Sequence, residues 1–128
     1  RGDEVLALVQ AMNTGHDGSI STCHANGPAD ALLRLESLVL QAAPTWPLAA
    51  IRHQLARSID VVIHVERYGD GSRRIVEIAE VVPPTPNSAN HGAATTRTVA
   101  RIDARGDLVA AAPITRQRSA QATDGFRS

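Results

Sequence analysis

Apolar residues recur at helical spacing three times in the first sixty positions. Val5, Leu8, Val9 and Met12 follow Asp3, whose carboxylate can cap a helix start, and Gly15 stands where that helix would stop. A second helix begins near Pro28, a residue suited to the first helical position, and runs through Leu32, Leu35 and Val39 until the AAPTWP stretch breaks it. A third begins near Pro47 and carries Leu48, Ile51, Leu55 and Ile59 on one stripe. Ser19 to His24 (SISTCH) reads as a short strand, unusually polar for one that would be buried. Asp60 to Arg67 (DVVIHVER) is a strand, Gly69 to Ser72 a turn, and Arg74 to Val82 (RIVEIAEVV) the paired strand. The order helix, strand, helix, helix, strand, strand suits part of an α/β sheet that ends in an antiparallel hairpin. The first strand needs neighbours, and they are expected upstream of Arg1.

The pattern changes at Pro83. Residues 83–96 (PPTPNSANHGAATT) read as a linker, and residues 97–112 as a short hairpin. From Pro113 onward the chain is polar and reads as a flexible tail. The expected organisation is therefore a folded part over 1–82, a linker over 83–96, and a hairpin with a tail over 97–128.

Composition narrows the function classes. All 13 basic residues are arginine, so the chain has no lysine. A P-loop, a kinase-type ATP site and Schiff-base chemistry each need one, so this chain cannot supply any of them by itself. The formal net charge is zero, which argues against a general nucleic-acid or anionic-membrane surface. The single cysteine, Cys23, excludes a disulfide framework and fits a reducing compartment. No apolar run approaches the roughly 20 residues of a membrane-spanning helix. Residue 1 is arginine with no signal pattern after it, as expected of a fragment.

The chemistry concentrates in Asn13 to Asn26 (NTGHDGSISTCHAN), which holds two histidines, a cysteine and several hydroxyls. On a strand, Ile20, Thr22 and His24 share one face, and Ser19, Ser21 and Cys23 share the other. His24 would then stand at the carboxyl end of the strand, where open α/β sheets bind ligands. A histidine there can donate to a phosphate oxygen or place a water; the bland alternative is a hydrogen-bonded structural residue. A metal site on His16, Cys23 and His24 is disfavoured, because adjacent strand residues point to opposite sides. A Cys23 nucleophile would need His16 as its base, as in a small Cys/His hydrolase. Of two Arg-Gly-Asp tripeptides, Arg105-Gly106-Asp107 falls where a hairpin needs its turn. Arg73 and Arg74 read as a solvated edge, and His53 and His64 as structural residues.

Three stretches carry a resemblance: Arg1-Gly2-Asp3-Glu4, Thr14 to Ser19 (TGHDGS) and Ser21 to Asn26 (STCHAN). Together they resemble the type II/IV secretion ATPases, closest to the CpaF-like branch of Flp/Tad pilus assembly and conjugation. Leu33 to Glu36 and Ile59 to Val62 also sit where that branch has such residues. The likeness covers residues 1 to about 82. It implies the distal part of a RecA-like P-loop ATPase domain, with ATP and Mg²⁺ bound in the intact protein and not by this fragment alone. It implies a homo-hexamer working with inner-membrane platform proteins, located in the cytoplasm at the inner face of the membrane, with no direct sequence-specific nucleic-acid binding. His24 would stand near the γ-phosphate with Thr22 beside it, His16 would act nearby, and Arg1 would lie next to the Walker B strand. No metal ligand is expected here. The Walker A lysine and the Walker B acid are absent, so the fragment alone should be inactive. The alternative is a non-catalytic binding module that regulates an ATPase ring.

Overall fold

The computed structural model describes residues 5–7, 20–87, 89 and 91–116. Val5 to Ala7 are helical; the remainder of the first expected helix, with Asp3, Gly15 and His16, lies outside the described residues.

Helix α1 spans Pro28–Ala42. Pro28 supplies a fixed φ at the first position, where its missing N–H costs nothing. Asp30, in the first turn, accepts from the Asn26 backbone N–H at 2.9 Å and from its side-chain amide at 3.3 Å. That carboxylate suits the positive end of the helix and fixes how the chain enters it. At the other end the Ala43 N–H reaches Val39 O at 2.8 Å, and Pro44 and Pro47 prevent continuation. Helix α2, Leu48–Ser58, starts directly after Pro47. Its stripe is only partly buried: Ile51 and Leu55 are enclosed, Ile59 just beyond packs at the edge of the core, and Leu48 is 39% exposed.

Val39, Ile51 and Leu55, with Val5, form the core between the helices, and Leu35, Leu38 and Trp46 close its rim. Full burial of an aliphatic side chain is worth about 1.5–3 kcal/mol. These few residues therefore dominate the packing of the helical layer.

Four strands follow: β1 Val61–Arg67, β2 Arg73–Val82, β3 Thr95–Ile102 and β4 Leu108–Ala110. They pair in chain order as one antiparallel sheet. Glycines at φ +84 (Gly71) and +88 (Gly106) close the β1–β2 and β3–β4 turns, a backbone region that only glycine enters freely. Residues 83–94 thus connect neighbouring strands of the same sheet. Helix α1 rests against β1, β2 and β3, and α2 packs on α1.

Two sequence expectations need correction. Ile20 to Ala25 belong to no strand, and Ile20 is 93% exposed. A lone strand leaves its backbone groups unpaired, and none of the four described strands pairs with this segment. The shared-face argument for Thr22 and His24 therefore does not hold here. Nor is Pro113 to Arg116 a loose tail: Thr115 and Arg116 are bound to Glu80 of β2. Residues 117–128 lie outside the described residues.

Candidate functional site

Ser21, Thr22, Cys23 and His24 form an exposed segment without regular secondary structure that runs into α1. The link between Asn26 and Asp30 anchors its far end, so His24 stands four residues before the helix start at Pro28. Of the four residues expected to carry chemistry, the structure places His24 and Thr22, two residues apart and both open to solvent. Arg1 and His16 lie outside the described residues.

The Cys23 thiol is not prepared as a nucleophile. Desolvation pushes its pKa above the ordinary value; Arg34 opposes the rise and Asp30 adds to it. A reactive cysteine needs the opposite shift. Among the described residues no group of His, Cys, Asp and Glu could hold a metal ion.

Two of the segments that carried the resemblance are structural. Glu36 accepts two bonds from the Arg52 guanidinium, at 3.0 and 3.1 Å, and clamps α1 to α2. The same guanidinium donates to His91 O at 2.9 Å, which ties the β2–β3 connection to α2. Asp60 pairs with Arg116 at 2.8 Å.

The most heavily bonded group was not singled out by sequence. Glu80 is 1% exposed, in the middle of an apolar strand. Arg97, the Thr115 N–H and hydroxyl, and the Arg116 N–H all donate to its carboxylate. The Arg97 guanidinium leads these contacts in holding the Glu80 pKa down, at about 2, and the Thr115 N–H follows. The one signal in the sequence was a carboxylate inside RIVEIAEVV, where an unpaired charge would be costly.

Residues 1–118 match the family model described as type II/IV secretion system protein. The chain belongs to that family. Among relatives of this type II/IV secretion system protein is a Mycobacterium tuberculosis protein named for conjugal transfer. It is 44% identical over 79 residues, which is 62% of this chain and 22% of the relative. The type IV secretion system protein PtlH of Bordetella pertussis is 40% identical over 59% of this chain and 23% of its own length. The type IV secretion system protein VirB11 of Brucella suis is 37% identical over 63% of this chain and 23% of its own. The chain thus spans less than a quarter of the length of these relatives. No helix among the described residues is long and apolar enough to cross a membrane.

Proposed function

We propose that this chain is the C-terminal part of a secretion or pilus-assembly ATPase of the CpaF-like branch. The intact protein couples hydrolysis of ATP, with Mg²⁺, to pilus assembly or macromolecular export. It works as a homo-hexamer of RecA-like domains, in the cytoplasm, against platform proteins at the inner membrane. The observation that carries this reading is the family match over residues 1–118, which spans the STCHAN segment. The lack of any lysine agrees with it, because the phosphate-binding loop must come from elsewhere in the intact protein.

In this reading His24 and Thr22 face the terminal phosphate and respond to its loss, while His16 and Arg1 complete the donor set. Hydroxyl, imidazole and guanidinium donors suit the charge that develops on a transferring phosphoryl group. The test is kinetic. In the intact ATPase, His24→Ala should lower kcat by about 100-fold while ATP affinity stays within about threefold. An unchanged kcat would remove His24 from the mechanism. The 128-residue chain alone should release no phosphate from Mg²⁺-ATP.

A further inference from the structure

Helix α2 packs on α1, and one side chain bridges its C-terminal end to the sheet. That side chain is Arg116, 15% exposed. Its guanidinium donates to Ala56 O at 2.7 Å and Arg57 O at 3.2 Å, the terminal carbonyls of α2. It also donates to Val81 O on β2 at 2.9 Å and pairs with Asp60 at 2.8 Å. A cation at a helix C-terminus is favoured by the helix dipole, and the planar fork of arginine reaches several acceptors at once.

Arg116 is in turn held in place from behind. Glu80, on β2, accepts the backbone N–H groups of Thr115 at 2.8 Å and Arg116 at 3.2 Å. Arg97, on β3, bonds Glu80 and also donates to Pro113 O at 2.8 Å. Ala79, Glu80 and Val81 are all buried, although alternate strand residues point to opposite faces. The segment from Pro113 to Arg116 is what covers the Glu80 side.

We infer that Glu80, Arg97 and Arg116 form a latch by which the segment Pro113–Arg116 fastens the end of α2 to the β1–β2 pair. With the latch closed, the end of α2 and the sheet move as one body. With the segment released, Ala56 O, Arg57 O and Val81 O lose the Arg116 guanidinium, Asp60 loses its Arg116 partner, and Glu80 keeps only Arg97 of the donors named here, so the α2 end loosens from the sheet.

Amide hydrogen exchange on the 128-residue chain tests this. The reporters are the Ile59 amide, bonded to Leu55 O at 3.1 Å, and the Val81 amide, bonded to Asp60 O at 2.9 Å. The reference is the Gly106 amide in the β3–β4 turn, bonded to Asp103 O at 3.0 Å. Arg116→Ala should speed both reporters by about tenfold and leave the reference unchanged. Arg116→Lys keeps the charge beside Asp60 but cannot reach three carbonyls, so it should speed them by a smaller factor and retain the fold. Reporter rates like those of the unsubstituted chain in Arg116→Lys, or equal acceleration of reporters and reference in both variants, would overturn the latch.

Discussion

Glu80 is the residue whose chemistry differs most from its surroundings. Its carboxyl is held at about 2, below the ordinary 4.5 of a free glutamate, chiefly by Arg97. A depressed folded-state value stabilises the fold above pH 4.5, and that contribution is lost as pH falls from there through about 2. Acid unfolding monitored by circular dichroism should therefore steepen in that window. Glu80→Gln should flatten it and lower stability at neutral pH, because Arg97 then loses its charged partner. Glu77 shifts in the same direction for a milder reason: Thr98 donates to it, and Arg101 adds its charge. Cys23 moves the other way, and labelling with a thiol reagent at neutral pH should be slower than for a free cysteine despite its exposure.

The hairpin turns determine whether β1 to β4 assemble in register. Gly71 and Gly106 lie at φ +84 and +88. A Cβ at Gly71 meets nothing within 4 Å, and one at Gly106 meets only the Arg74 guanidinium at 3.8 Å, an ordinary contact. The cost of alanine at either position is thus conformational, about 1–2 kcal/mol, and should appear as a lower denaturant midpoint with the slope unchanged. Helix α1 shows how short signals locate an element. Pro28 sets its start, Asp30 secures the entry, and the Pro44 to Pro47 break ends it. The segment before it shows the limit of such signals. SISTCH has the length and alternation of a strand, yet a strand exists only when a neighbour accepts its hydrogen bonds.

Across the described residues, stability rests on a small core and an open sheet with two edges, β1 and the short β4. Ile51 is fully enclosed among Val5, Val39 and Leu55, so Ile51→Ala should cost about 2–5 kcal/mol in denaturant unfolding. Strand β1 ends the sheet and exposes Val61, Ile63 and Val65, with Ile63 at 55%. An open apolar edge invites pairing with another chain. Ile63→Lys should reduce light scattering of the concentrated protein without lowering its melting temperature.

The sequence alone located two helices and two hairpins in their order. Periodicity places α1 and α2, continuous β-branched runs place β1 and β2, and prolines and glycines mark the breaks, because each signal acts within a few residues of chain. Family membership was likewise carried by contiguous motifs, TGHDGS and STCHAN. Tertiary structure decided what local patterns cannot encode. It left Ile20 to His24 outside any strand, since strand formation depends on a distant partner. It joined β3 to β2, so residues 83–94 connect two strands of one sheet. It also turned a polar stretch at Pro113 into a fastening, because Glu80 and Thr115 are 35 positions apart and meet only when the sheet brings them together. A buried carboxylate in an apolar strand signals that a partner must exist; only the folded chain shows that the partners are Arg97, Thr115 and Arg116.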